Sequence, residues 1–152
     1  MTEIEPNDIP DDAVELLRTY LETEHGFLSW LGFTVETFEI GRMEATIPFD
    51  DKLTNPTEPP TVQGGVASTL IDVTGGIVLR PYLTDPIGDD LATINLNVNS
   101  HRPAAGDLTA TAEVIRAGGS VGVSTVEVTS ETPDGEERTV AVGQGAYRLF
   151  RS

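Results

Sequence analysis

Apolar residues recur along this chain with two different spacings, and the switches between them mark its elements. Val14, Leu17 and Leu21, with Leu16 and Tyr20 beside them, form one stripe at helical spacing, which predicts a helix over 12–24. Asp11 and Asp12 place negative charge at its positive end, and Gly26 after His25 is the expected C-terminal cap. Residues 1–10 carry no such pattern and read as a flexible leader. Residues 33–40 and 42–49 read as two strands of a hairpin that turns at Gly41. The stretch DDKLTNPTEPPTV over 50–62 contains Pro56, Pro59 and Pro60 and is expected to be a loop.

A second helix is predicted over 64–80, stopped by Pro81. Beyond the loop TDPIGDD the spacing falls to two. Ile94, Leu96 and Val98 point one way and Asn95, Asn97 and Asn99 the other. Leu108, Ala110, Ala112 and Val114 repeat the alternation. Ala117-Gly118-Gly119 turns the chain into a strand over 121–129, whose apolar phase slips near Ser124-Thr125 and suggests a bulge. TPDGEE turns it again into a last strand over 139–150. Strands joined mostly by short turns imply an antiparallel sheet, and the long apolar helix needs that sheet as its cover. The expected class is α+β, with residues 11–152 as a single domain.

Composition narrows what such a domain can do. Hydrophobic residues make up 38% of the 152, enough for a real core, and no apolar run approaches the roughly 18 residues of a membrane span. The acidic start MTEIEPNDIPDD lacks the apolar segment of a secretory signal. Without cysteine there are no disulfides, no thiol catalysis and no cysteine-ligated metal. Twenty-five acidic residues stand against nine basic ones, Lys52 is the only lysine, and the formal net charge is -16. Such a surface repels nucleic acid and anionic membranes. Acids spread along the whole chain point to a salt-rich cytoplasm, where ions screen the self-repulsion.

The stretch VQGGVASTLIDVTGG carries the candidate chemistry. The first N–H groups of a helix have no partner within it and bear partial positive charge. Gly64 and Gly65 would let a substrate approach those donors closely, as in an oxyanion hole. Asp72 lies on a helix face with Gly65, Ser68, Thr69, Gly75 and Gly76, all small, which suggests room for a ligand beside the carboxylate. Seven residues of helix put Gly65 and Asp72 roughly 10 Å apart, too far to serve one reacting carbon. A twofold dimer removes the difficulty if Asp72 of one copy lies beside the Gly64/Gly65 amides of the other, giving two equal sites.

These residues resemble the hotdog-fold thioesterases, and within them the PaaI-like acyl-CoA thioesterases. The pattern there is an Asn-containing loop, His-Gly-Gly, and a helix with Asp or Glu nine positions after the His. QGGVASTLID has that spacing from Gln63 to Asp72. TINLNVNSHRPAAGDLTATAEVIRAGGSVGVSTVEV is similar to the family's strand, Arg-Pro and Gly-Asp run, and the resemblance extends over 31–150. It implies a curved antiparallel sheet wrapped around one long central helix, in homodimers that pair into tetramers. It also implies hydrolysis of an acyl-CoA thioester with no metal and no cofactor beyond the CoA of the substrate. By the same resemblance Asp72 is a general base or a nucleophile. Gly65, with Gly64, polarises the carbonyl, Thr93 positions the water, and Asn55 orients substrate. Two positions depart from the pattern. Gln63 replaces the His: it can donate a hydrogen bond but cannot take a charge. Asn55 lies about two residues further from the glycines, and Thr57 competes for its place.

The remaining candidates are weaker. His25 and His101 lie in no metal-ligand cluster and are read as residues of a helix end and a strand end. No G-x-S-x-G elbow occurs, and Gly118-Gly119-Ser120 reads as a hairpin turn. Arg102 and Arg116 are scarce cations suited to CoA phosphates or to salt bridges. Phe27, Trp30 and Phe33 are open to a pocket-lining role, but the core is the expectation preferred for them. A non-catalytic acyl-CoA-binding shell is the alternative function, favoured by Gln63. A dehydratase ranks below it because no His accompanies Asp72.

Overall fold

The computed structural model describes residues 3–152. Its sheet strands are β1 (Thr34–Glu39), β2 (Arg42–Ile47), β5 (Asp90–Ser100), β6 (Leu108–Ala117), β7 (Val121–Glu131) and β8 (Glu137–Phe150). They pair antiparallel in the order β1-β2-β6-β7-β8-β5. The sheet curves around one helix, α3 (Gly64–Ile77), in the hotdog arrangement that the resemblance implied. Two-residue strands β3 (Thr54–Asn55) and β4 (Thr61–Val62) form a separate small hairpin. The region 50–62 is therefore not plain loop: its prolines fall between two short pairing segments.

The core lies between α3 and the inner face of the sheet. Leu70 and Ile71 are fully buried, against strands whose inward residues include Leu108, Ala110, Val126, Ala141 and Leu149. Burying each of those two side chains stabilises by about 1.5–3 kcal/mol. The approach of helix to sheet is very close, which explains the glycines after Asp72. A Cβ on Gly75 would stand 2.6 Å from the Tyr147 hydroxyl and 2.8 Å from Ser124 Oγ. One on Gly76 would meet Leu91 and the Tyr147 ring at 3.1 and 3.2 Å. These glycines face the sheet, not a ligand, which corrects the expectation that they open space beside the carboxylate.

The N-terminal segment differs from its prediction. The single helix expected over 12–24 is α1 (Asp11–Thr19) followed by a π-helical stretch over Tyr20–Glu24, and helix resumes as α2 (Gly26–Leu31). Gly26 does not cap the first helix. His25 is extended and its Nδ1 accepts from the Leu28 N–H at 3.2 Å, so His25 caps α2 and Gly26 begins it. The resumed helix buries Leu28 and Leu31, and it is Gly32, at φ +77°, that ends it. Residues 3–10, read as a leader, have no helix or strand but run against the body. Ile4 N donates to Ala117 O at 2.8 Å, and the Asn7 side chain donates to Leu83 O at 2.7 Å. Met1 and Thr2, the first two residues of that leader, lie outside the described residues. Among the described residues no helix is long and apolar enough to cross a membrane.

Bulges fall elsewhere than the pattern suggested. Strand β7 keeps an unbroken alternation through Ser124-Thr125. Ser124 faces inward because its hydroxyl donates to Gly75 O at 2.7 Å. The irregularity lies across from it on β6, between Val114 and Arg116, and lifts Ile115 outward. Another bulge interrupts β5 between Thr93 and Asn95. Thr93 pairs with inward-facing Tyr147, and after the bulge Leu96 pairs with inward-facing Gly145. Ile94 is the extra residue and is 57% exposed, so it leaves the apolar face that it was expected to share with Leu96 and Val98.

Candidate active site

Helix α3 has two unlike faces because the sheet covers only one of them. Val66, Ala67, Leu70, Ile71 and Thr74 are buried, while Gly65 is exposed and Ser68, Thr69, Asp72 and Val73 are half-buried. Asp72 thus stands on the open face, three positions from Thr69 and seven from Gly65. The β5 bulge supplies its partner. Thr93 Oγ1 donates to Asp72 Oδ1 at 2.6 Å. Without the extra residue at Ile94, Thr93 and Leu96 could not both face inward. Thr93 was expected near the carboxylate, and the structure brings the two side chains together in one protomer.

The backbone that carries Asp72 is held from below. The Tyr147 hydroxyl donates to Asp72 O at 2.8 Å, three residues before the carbonyl held by Ser124. Burial, and then the nearby Asp72 charge, push the Tyr147 phenol well above its ordinary range, so it stays protonated and remains a donor. Gly145 gives that ring its place: a Cβ there would lie 2.5 Å from it. The carboxylate is thereby fixed on a rigid helix, with Thr93 on one oxygen. A hydroxyl that donates to a carboxylate keeps lone pairs with which to accept from water. Replacing Thr93 with valine is expected to lower kcat by roughly tenfold or more, with KM little changed. Steady-state kinetics on the purified variant checks this.

Gln63 occupies the N-cap position of α3, and its side-chain Oε1 accepts from the Gly65 N–H at 2.6 Å. Gln63 was noted as able to donate a hydrogen bond; here its side-chain oxygen accepts, and it takes the amide proposed to polarise a carbonyl. A cavity of about 350 Å³ opens on one side of this first turn, lined by Asn55, Gln63, Gly64, His101 and Arg102 among others. Another of about 310 Å³ opens on the other side, lined by Phe27, Trp30, Lys52, Gln63, Gly65 and Thr69 among others. Asn55, Gln63, Gly64 and Arg102 therefore line one cavity. Thr57 is engaged within the β3–β4 hairpin, where its hydroxyl meets Thr61 Oγ1 at 3.0 Å.

Two other residues are placed differently from expectation. Phe33 is core, but Phe27 and Trp30 are 52% and 51% exposed and line the second cavity. Lys52 lies 4.5 Å from the Trp30 ring centre. His101 follows the last residue of β5, at a strand end as expected, and also lines the first cavity beside Arg102. The available signal for Phe27 and Trp30 was their separation by three positions on a short helix whose buried residues are Leu28 and Leu31. Arg116 pairs in register with Val123 on the outer side of the sheet, away from α3. It is not brought to either cavity in one protomer.

A single long helix inside a curved antiparallel sheet, with a carboxylate on its open face and an N-terminus led by Gly64 and Gly65, defines a hotdog-fold protein. The chain belongs to the thioesterase superfamily, whose family model matches residues 60–136. It is 47% identical over 145 residues to a Halobacterium salinarum protein described as a candidate esterase, covering 93% of this chain and 95% of the relative. A Shewanella oneidensis protein related to the thioesterase superfamily superposes with a TM-score of 0.76 at 25% identity, over 94% of this chain and 99% of that one. A Haemophilus influenzae thioesterase shares the fold with a TM-score of 0.74 at 21% identity, over 99% and 96% of the two chains.

Proposed function

We propose that the protein is a PaaI-like acyl-CoA thioesterase in which Asp72 assists attack of water on the thioester carbonyl. The observation that carries this reading is the 2.6 Å hydrogen bond from Thr93 to Asp72 on the open face of α3. A carboxylate with a hydroxyl beside it can hold a water between them and accept its proton. Direct attack by the carboxylate is the other role open to Asp72, and incorporation of labelled solvent oxygen into the protein in a single turnover distinguishes the two. The N–H groups of Gly65 and Gly64 stabilise the oxyanion as charge moves onto the carbonyl oxygen.

The site is completed by a second copy of the chain. Seven residues of α3 separate Gly65 from Asp72, roughly 10 Å of rise, so one helix cannot present both to one carbon. Antiparallel packing of two open helix faces places each Asp72 beside the partner's glycine amides and covers the half-buried stripe. Dimers of this kind pair further into tetramers. The first cavity, with Asn55 and Arg102, receives the CoA side of the substrate; Arg116 reaches CoA phosphate only from another subunit.

A second reading has its own support. Gln63 sits on the Gly65 amide, so the same shell could bind acyl-CoA without hydrolysing it. A panel of short-chain, aryl and long-chain acyl-CoAs with a thiol reporter separates the two. Thiol release supports the enzyme, and binding without release across the panel supports the binding protein.

The net charge of -16 and the Halobacterium relative support a salt-rich cytoplasm as the working environment. The unfolding midpoint is expected to rise as KCl is raised from low to multimolar, because counterions screen the repulsion among the acids. A midpoint indifferent to salt would remove that proposal.

A further inference from the structure

Gln63 stands in the wall shared by the two cavities. On one side are Asn55, His101 and Arg102; on the other are Phe27, Trp30 and Thr69. The first turn of α3 lies between them, and there Gln63 Oε1 accepts from the Gly65 N–H at 2.6 Å. A Cβ on Gly65 would stand only 2.7 Å from the same oxygen, so the glutamine amide fills the open side of that residue. An amide carbonyl and a thioester carbonyl are acceptors of one kind, planar with two lone pairs, and one N–H makes one strong hydrogen bond. The Gln63 oxygen and a substrate oxygen compete for the same proton.

We propose that Gln63 is a positioning residue whose side-chain carbonyl stands in for the substrate carbonyl and is displaced by it. The inference rests on the acyl-CoA reading and adds a step to it. The amide holds the Gly65 donor in the wall between the cavity of His101 and Arg102 and the aromatic one. When an acyl-CoA lies across that wall, its CoA side is toward His101 and Arg102 and its acyl side toward Phe27 and Trp30. Its carbonyl takes over the Gly65 N–H. Gln63 is exposed, so its amide turns into water without unpacking the core. The donor is aimed before substrate arrives, and only a ligand bearing a carbonyl at that point takes the N–H from the glutamine.

Two CoA analogues isolate the effect. One replaces the thioester sulfur with methylene and keeps the carbonyl; the other is a thioether with no carbonyl. Their dissociation constants are measured by calorimetry on the wild type, Q63A and Q63E, each checked for folding by circular dichroism. Q63A should bind the ketone roughly two- to tenfold more tightly, the worth of one neutral hydrogen bond, with the thioether unchanged. Q63E should bind the ketone more weakly relative to the thioether, because a carboxylate holds the Gly65 N–H more strongly. Its added charge acts on both analogues and cancels in their ratio. A ketone-to-thioether ratio identical in all three proteins overturns the proposal and leaves Gln63 as a helix cap only. Weaker ketone binding by Q63A also overturns it, since Gln63 would then be assisting the carbonyl. If neither analogue binds the wild type, the acyl-CoA reading itself falls and takes this step with it. Should Q63A fail to fold, the direction of the Q63E ratio decides.

Discussion

Asp72→Asn is expected to lower kcat by at least ~10²-fold, the usual contribution of a positioned general base. Asparagine is nearly the same size and can still accept from Thr93 through its carbonyl oxygen, so the local packing survives. What it loses is the ability to take a proton or to attack as an anion. The melting temperature of the variant should therefore stay near the wild-type value while turnover collapses. Measuring both on the same preparation separates a chemical role from a structural one. A folded Asp72→Asn protein with unchanged kcat ends the mechanism. The comparison with Thr93→Val is also informative: its smaller loss fits a group that helps hold the water, not one that receives its proton.

The largest stability effect is expected at Gly75. An added methyl would meet Tyr147 Oη at 2.6 Å, Ser124 Oγ at 2.8 Å and Val126 at 3.3 Å. All three belong to packed strands, so the helix has to move away from the sheet. That displacement breaks the Ser124 bond to Gly75 O and strains the Tyr147 bond to Asp72 O. Gly75→Ala should destabilise by about 2 kcal/mol or more, against the general preference of helices for alanine. For a chain of this size that is a fall in melting temperature of roughly 4–8 °C. Gly26→Ala is the control: nothing lies within 4 Å of its added Cβ and its φ is not in the left-handed region, so it should be neutral or slightly stabilising. Calorimetric melts of the two variants check this pair. Because the same bonds hold Asp72, Gly75→Ala should also lose activity at temperatures where it remains folded.

The salt and Gln63 experiments act on different parts of the molecule. Salt dependence reports the summed surface charge, and the Gln63 ratio reports one amide at one helix end. Variants at Asp72 and Gly75 divide what lies between, the open and the covered faces of α3. Asp72 is tied to both: its carboxylate meets Thr93 on one side, and its carbonyl meets Tyr147 on the other.

The sequence by itself determined the class of fold and where the candidate site residues fall along α3. Period-two alternation over β6 and β8, short turns at 117–119 and 132–136, and one long apolar helix leave few arrangements other than a sheet covering α3. The spacing from Gln63 to Asp72 put the glycines at a helix start and the carboxylate two turns on. Both are consequences of local periodicity, which a chain carries in its order of residues. What only the tertiary structure decided depends on neighbours distant in sequence. The purpose of Gly75 and Gly76 became visible once Tyr147 and Ser124 were seen against them, about fifty to seventy residues later in the chain. Thr93 reached Asp72 through a bulge at Ile94 that no alternation of apolar residues announces, because one extra residue is settled by the register of β5 on β8. Gln63 could be read as a donor or an acceptor from its chemistry alone, and the fold chose acceptor by aiming the Gly65 N–H at it. Phe27 and Trp30 are apolar and were assigned to the core, yet α2 had Leu28 and Leu31 to bury and turned its aromatic residues toward the helix end instead. Local order specifies elements; which side chains meet is fixed by packing between them, and the chemistry of this protein lies in those meetings.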